Sequence, residues 1–508
     1  MIACDLCIVG AGAAGITIAL ELIEAGLDVL VLESGGLEFD PAVQALARGR
    51  SIGAASDALD AARLRFFGGS TNHWGGFCRP FDPVDFAVRP WVPDSGWPIE
   101  RADLDPFYTR AAAMLDLADD DFSVARWRDA LPPLFGGPLF EGRLEPVVYQ
   151  LSPPTRMGEK YRGALERARD VRVMLHANLL RIGLHPGRRR VMRLDVGTLE
   201  GGRFGVTPAA VVLATGGIEN ARLLLASRDV ERNGVGNGHD LVGRYFMDHP
   251  SHHAATLLLN APSDDARRPL MRPVFPYATL REDVAREEGL LRFMTTMHVG
   301  DELFDEPQGY VALREIGRAI LRREWPADLT GRLASLAADL DGAAEHGFRR
   351  FFGRSGTLHL RIHPEVAPNR ESRVTLGDET DALGMPRPVL DWRLGELDRH
   401  TIRRGLSIVG AEAGRTGIGR LRIEPWMLED PFAVPGIGSW HHVGTTRMHD
   451  DPRCGVVDRE GRVHGLDNLF VAGSSVFPTC SMANPTFTLV ALALRLADHL
   501  RRWRPGAG

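Results

Sequence analysis

The stretch Trp440 to Met448 reads W-H-H-V-G-T-T-R-M and sets two adjacent imidazoles, His441 and His442, beside a glycine and two threonines. Imidazole is the side chain whose unperturbed pKa best suits it to accept a proton near neutral pH. Adjacent residues on an extended segment point to opposite faces, so one ring can serve a site while the other packs elsewhere. A proton acceptor needs a reaction to serve, and the N-terminal residues indicate which.

Leu6 to Val9 is a short apolar run, followed by G-A-G-A-A-G: Gly10, Gly12 and Gly15, with Ala13 and Ala14 between the last two. A helical pattern runs from about 13 to 25, with Gly26 placed as its C-terminal cap. Val29 to Leu32 forms a second apolar run ending in Glu33. Strand, glycine turn, helix, strand and acidic end together make the dinucleotide fingerprint. Gly10 makes the tight turn. Gly12 lets backbone N–H groups approach a pyrophosphate at the helix N-terminus, and Gly15 lets helix and strand pack closely. Glu33 is placed to accept from ribose hydroxyls. Its carboxylate disfavours a 2′-phosphate and so NADP, leaving NAD or FAD.

The loop Arg65 to Arg79 brackets Ser70, Thr71, Asn72, His73 and Trp74 between the pairs Gly68-Gly69 and Gly75-Gly76. Such a loop can bring backbone close to a flat ligand while offering several donors. Helices are expected near 104–117 and 161–168, and strands at 171–175, from Leu179 to Leu184, and from Val211 to Ala214. The last of these passes through Thr215 into a second glycine turn and helix. Residues 80–150 carry little clear periodicity, and Asp119, Asp120 and Asp121 read as a solvated loop. G-R-Y-F-M-D-H-P, residues 243–250, closes a first section. Residues 251–430 alternate strand-like runs with an insertion at 315–354 that reads as a basic amphipathic helix. His363 and Glu365, in a turn-like stretch, could reach a ligand or cap a sheet. The C-terminal part supplies a strand, Leu469 to Ala472, then Gly473 and Ser474. It ends in A-N-P-T, where Asn484, Pro485 and Thr486 open a last helix. Proline there is pre-set for the first helical turn.

With 508 residues, the chain is long enough for more than one domain. Sixty basic against 66 acidic residues give a net charge of -6, which offers no electrostatic footprint for nucleic acid. No apolar run approaches the roughly 18 residues of a membrane span, and the first residues do not read as a signal peptide. The expectation is a soluble, cytoplasmic protein. The five cysteines read as reduced thiols, with Cys4 and Cys7 buried on the first strand. No metal-ligand set or haem attachment motif is visible.

Taken in order, these motifs resemble the glucose-methanol-choline (GMC) oxidoreductase family of FAD enzymes, nearest its pyranose-oxidase-like branch. The match spans nearly the whole chain. It rests on G-A-G-A-A-G with Glu33, G-G-S-T-N-H-W-G-G, T-G-G-I-E-N-A-R, H-H-V-G-T-T-R-M and A-N-P-T. The resemblance implies an α/β fold with a Rossmann-like FAD-binding domain built from separated segments, 1–250 and 431–508, with a loop-rich excursion at 80–150. It implies an α+β substrate-binding domain around an antiparallel sheet at 251–430. It places the catalytic pair at His441 and Asn484. Cofactor contacts are expected at the three glycines with Ala13, Ala14 and Glu33; at Gly69, Ser70, Asn72, His73, Trp74, Gly75 and Gly76; and at Leu179, Ala214, Thr215, Gly473, Ser474, Pro485 and Thr486. His73 occupies the position that pyranose oxidases bond covalently to the flavin, a link that stays open here.

The implied reaction is oxidation of a CH–OH group of a sugar or glycoside, by proton abstraction at His441 and hydride transfer to flavin N5. Steroids or other secondary alcohols remain alternative substrates. A lyase retaining FAD only structurally, or a flavin-bearing assembly subunit docking through 315–354, remain alternative roles. Oxygen, a quinone or a carrier protein could each take the electrons, and self-association into a homo-oligomer is also left open.

Overall fold

A computed structural model describes residues 1–54, 58–187, 189–263, 273–298, 308–322, 325–326, 328–344, 355–429, 431–432, 434 and 438–503. Its first sheet has seven strands. Across it lie Val171–Met174, Val29–Leu32, Ile2–Val9, Arg203–Leu213, Val191–Gly197 and Asn178–Leu184, and Leu469–Val471 also pairs with Arg203–Leu213. Ile2–Val9 runs parallel to both neighbours, with Leu6 opposite Val29 and Ala210. The long strand Arg203–Leu213 changes partner along its length. Its start pairs antiparallel with Val191–Gly197, and its end pairs parallel with Leu469–Val471. Three parallel strands therefore finish side by side, and each runs into a glycine: Gly10, Gly216 and Gly473. The C-terminal edge of parallel strands is where α/β sheets bind ligands. Leu6 to Val9 and Val29 to Leu32 are buried along their length, as expected of strands covered on both faces.

The helices Ala13–Glu21 and Pro485–Arg502 pack against each other beside this sheet. The first ends at Glu21, short of the expected residue 25. Glu24 and Gly26 both take positive φ, so the chain turns back toward Val29 before a further helical turn can form.

The second sheet is antiparallel throughout. Its order is Gly419–Ile423, His252–Ser263, Ser355–Ile362, Met294–Thr295, Val274–Leu280, Leu144–Leu151 and Phe77–Cys78. Leu144–Leu151 lies in the stretch expected to be loop-rich. Val147 to Gln150 are all buried, so no polar alternation announces the strand. The helix Glu396–Arg415 buries Ile402, Leu406 and Val409 in the core on this sheet. A small third sheet joins Arg373–Thr380, Pro386–Trp392 and Arg50–Gly53.

Within the 315–354 region the single expected helix is broken up: among the described residues Gln308–Arg322 and Leu329–Ala338 pack on one another, and residues 340–344 are also helical. Residues 345–354 lie outside the described ones. Among the described residues no helix is long and apolar enough to cross a membrane.

Candidate active site

Two glycine turns meet at the edge of the first sheet. Gly68 N–H donates to Ala11 O at 2.8 Å, and a Cβ on Gly69, at φ +54, would sit 3.0 Å from Gly12 Cα. Gly15 is equally constrained, since a Cβ there would fall 1.8 Å from Gly10 O. Glu33 is buried and fixes the first turn. Its carboxylate accepts from Ala11 N–H at 2.8 Å and from Gly35 N–H at 3.0 Å. The second turn is braced from behind. Trp74 Nε1 donates to Thr155 O at 2.9 Å, Asn72 Nδ2 to Phe67 O at 3.0 Å, and Arg156 to the carbonyls of Thr71 and Trp74.

The other expected cofactor residues fall into two groups. Gly75 and Gly76 turn the chain into Phe77–Cys78, Ser70 sits exposed in the loop, and Leu179 is buried in its strand. Ala214 closes its strand by donating to Val9 O, and Thr215 turns its hydroxyl onto Asn220 Oδ1 at 2.6 Å. At the C-terminal edge Ser474 Oγ donates to His442 O at 2.8 Å. That bond ties the turn after Leu469–Val471 to the histidine strap. Pro485 and Thr486 begin the last helix.

The strap 438–448 is held from below by one carboxylate. Buried Asp248 accepts backbone N–H bonds from His249, Ser439, Trp440 and His441 at 2.7–3.2 Å. Burial pushes its carboxyl up to about 7, although all four N–H groups favour the anion. Trp440 takes φ 62, an uncommon conformation for a bulky residue. Its ring stacks on His73 at 5.4 Å between centroids, which brings the second glycine loop over the strap. Thr445 Oγ1 reaches Gly217 O, and Thr446 Oγ1 bonds Ser475 Oγ at 2.7 Å.

His441 and Asn484 come together: Asn484 Nδ2 lies 3.4 Å from His441 Nε2. Asn484 stands at the N-cap of the last helix, yet its side chain makes no capping bond. The segment before it is anchored by Ser481 Oγ on Asp85 Oδ2 at 2.7 Å and by Tyr149 O–H on Met482 O at 3.2 Å. His441 is kept neutral. Burial, then the His249 and His442 rings, hold its pKa well below the ordinary value. His442 points away, as alternation along the strap requires. Its ring faces Phe246 at 5.5 Å, and burial lowers its pKa to about 3.

His363 and Glu365, left undecided by sequence, part company. Glu365 forms a fully buried pair with Arg89, Oε2 to Nη1 at 2.7 Å, and also accepts Arg292 N–H. It is a structural anchor. His363 instead joins the active-site strap through Ser439 Oγ, 3.3 Å from its Nδ1. It also stacks on His249 at 4.4 Å. Asp248 and His249 were missed as site residues. The only signal was D-H-P in a segment with no helix or strand pattern, where polar residues precede a rigid proline.

The glycine cradle fits a dinucleotide cofactor. The helix Ala13–Glu21 starts without a side-chain cap, and nothing lies within 4 Å of where a Gly12 Cβ would be. The first-turn N–H groups thus have no side-chain acceptor, the donor set a pyrophosphate takes. Fold and cradle together define a dinucleotide-binding protein of the α/β class.

Comparisons with known proteins resolve the cofactor. Residues 5–333 match the family described as FAD dependent oxidoreductase, and residues 368–493 match GMC oxidoreductase. The chain is 24% identical to 2-methyl-1,2-propanediol dehydrogenase of Mycolicibacterium austroafricanum, over 98% of this chain and 95% of that protein. It is 28% identical to paromamine 6'-oxidase of Streptomyces fradiae, over 97% and 90%. A shorter segment, 29% of this chain and 25% of the relative, is 33% identical to pyranose 2-oxidase of Tricholoma matsutake. Among solved structures, pyridoxine 4-oxidase from Mesorbium loti shares the fold. Its TM-score is 0.59 at 19% identity, over 99% of this chain and 100% of that one. The chain belongs to the GMC family of FAD-dependent oxidoreductases.

Proposed function

We propose that the chain oxidises a CH–OH group of a sugar or glycoside, with His441 as proton acceptor and Asn484 as the hydrogen-bond donor that positions the substrate oxygen. The observation that carries this reading is the 3.4 Å approach of Asn484 Nδ2 to His441 Nε2 at the edge that bears the glycine cradle. An amide nitrogen can only donate, so the bond leaves a lone pair on Nε2 directed at Asn484. A substrate hydroxyl entering between them can give its proton to Nε2 while its oxygen accepts from the amide. FAD, when bound, supplies the hydride acceptor that no protein side chain offers.

The residues expected to hold it are Gly10, Gly12 and Gly15 with the first helical turn, Glu33, and the Gly69–Gly76 loop. Gly473, Ser474 and the start of the last helix complete the set. The burial that keeps His441 neutral leaves its lone pair available for the proton. The stacking of His73 on Trp440, next to the strap, supports a position for it beside the flavin. A covalent link there would leave flavin fluorescence on the denatured chain.

The sugar or glycoside class is supported by relatives named for paromamine and pyranose, and the diol relative keeps simpler alcohols in the comparison. The experiment is anaerobic stopped-flow mixing of the FAD-loaded enzyme with sugars, glycosides, simple diols and sterols, following flavin absorbance. Bleaching by a sugar or glycoside supports the reading, and bleaching only by sterols or diols replaces the substrate class. Substrate turnover with a flavin that stays yellow would point to a lyase instead. Re-oxidation with oxygen against a quinone then separates an oxidase from a dehydrogenase. His441→Ala should slow flavin reduction by about 10²–10⁴-fold, the usual worth of general base catalysis.

A further inference from the structure

Behind the catalytic strap, one nitrogen from each of His249, His363 and His441 lies within 4.8 Å of the other two. Each ring already has its other nitrogen engaged. His249 Nδ1 is 3.2 Å from Pro364 O, and a carbonyl only accepts, so Nδ1 carries the proton and Nε2 a lone pair. Ser439 Oγ donates its hydrogen to His249 O, so it accepts from His363 Nδ1–H, and His363 Nε2 is a second lone pair. His441 is fixed the other way, its Nε2 receiving the Asn484 amide and its Nδ1 left toward the cluster. The three remaining nitrogens, His249 Nε2, His363 Nε2 and His441 Nδ1, are buried without a hydrogen-bond partner.

We propose that these three imidazoles form a binding site for a divalent zinc-class ion, and that its occupancy switches off His441 as a base. The donor set is all imidazole nitrogen, which suits zinc, copper and nickel rather than calcium or magnesium. Two of the three rings already show the second-sphere arrangement of metal-ligating histidines, the far N–H donated to a carbonyl or hydroxyl oxygen that fixes the tautomer. Zinc–imidazole bonds are about 2.0–2.1 Å, so binding draws the three nitrogens closer than they stand here.

The consequence for His441 follows from its single proton. A neutral imidazole carries one N–H. If the metal takes the Nδ1 lone pair, that proton must move to Nε2, which then donates and cannot accept from a substrate hydroxyl. The bond from Asn484 Nδ2 is lost in the same step. This consequence rests on the proposed role of His441, whereas the binding site does not.

The test uses the FAD-loaded enzyme. Zn²⁺ is titrated calorimetrically into wild type, His249→Gln and His363→Gln, with flavin absorbance reporting that each variant is folded. Cu²⁺ electron paramagnetic resonance then reports nitrogen ligation. The expected result is one Zn²⁺ per chain, affinity at least 10-fold weaker in each variant, and three-nitrogen coupling in the copper spectrum. No binding to wild type, or equal affinity in wild type and either folded variant, would overturn the site. Zn²⁺ should also slow anaerobic flavin reduction in proportion to occupancy. Binding as expected with unchanged reduction would leave the metal site standing and remove His441 from the base role.

Discussion

Asp248 Oδ1 accepts the backbone N–H of His441 at 2.9 Å, across 193 residues of chain. The same carboxylate takes three further backbone N–H groups, so one buried side chain sets the path of the strap that carries His441, the proposed base. Replacing it by alanine takes the acceptor from the N–H groups of His249 and His441, at about 1–3 kcal/mol for each that finds no water, whereas Ser439 N–H keeps His249 O at 3.0 Å. Asp248→Ala should lose several-fold more stability in urea than a typical surface variant. Any folded fraction should reduce its flavin at least ~10-fold more slowly, since displacement by about 1 Å is enough to cost that much. Asp248→Asn, which keeps one acceptor oxygen, should fall between. Equal stability of all three proteins would remove Asp248 from this role.

The imidazole environment predicts an unusual pH response. His441 stays neutral well below the ordinary histidine value, so anaerobic flavin reduction should be flat from pH 8 to about pH 5.5. A fall with a midpoint near 6.5 would contradict a buried neutral base. Stability should move over the same window. Burial lowers the pKa of His249 from 6.5 to about 4. Below pH 6.5 the unfolded chain therefore binds a proton that the fold refuses. This contribution is present above pH 6.5 and is lost as pH falls toward 4, to a total of roughly 3 kcal/mol. Asp248 works in the opposite sense. With its pKa raised from 3.8 to about 7, it disfavours the fold as pH rises between those values. In urea titrations from pH 7 to pH 4, His249→Phe should lose stability less steeply than wild type.

What the sequence made legible follows from which signals are local. The strand, glycine turn and second strand at residues 2–33 are contiguous, and Gly15 has its steric reason inside the motif, where a Cβ would fall 1.8 Å from Gly10 O. They were readable from the residues alone. The pairing of His441 with Asn484 became readable only through resemblance, because nothing near either residue specifies the other. The grouping of His249 and His363 with His441 had no signal. Its members sit on three separated segments, brought together by Asp248, Ser439 and the carbonyl of Pro364. Leu144–Leu151 escaped because Pro146 interrupts it and burial on both faces erases alternation. Glu365 stood out only as able to reach a ligand or cap a sheet, and its pairing with Arg89 had no signal, since a buried ion pair looks like two solvated charges until the fold places them.

That pair supports a stability test. Arg89 and Glu365 are buried to 3% and 0% side-chain exposure. Removing one partner strands a charge in the interior, and Arg89→Leu should cost about 3–5 kcal/mol. The double variant Arg89→Leu with Glu365→Leu removes both charges, and much of the loss should return. Chemical denaturation of the three proteins decides the matter. A double variant no more stable than the single one would show that the pair acts through shape or through Arg292 rather than through its own charge balance.

The sharpest test of the site is at Asn484, where two substitutions should fail differently. Asn484→Ala deletes a neutral donor. By analogy with oxyanion-hole donors, flavin reduction should slow by about 10²–10³-fold, and its flat pH profile should survive because His441 keeps its environment. Asn484→Asp is nearly the same size but places an anion next to His441 Nε2, where the amide nitrogen now lies at 3.4 Å. An opposite charge at that range favours the imidazolium and raises its pKa. The base is then protonated at neutral pH and hydrogen-bonded to the carboxylate. Reduction should be slow near pH 6 and rise with pH as the imidazolium gives up its proton. Rapid-mixing reduction from pH 5.5 to 9 therefore distinguishes a lost donor from a blocked base. If the aspartate variant were as flat as the alanine variant, His441 Nε2 would not be the atom that takes the proton.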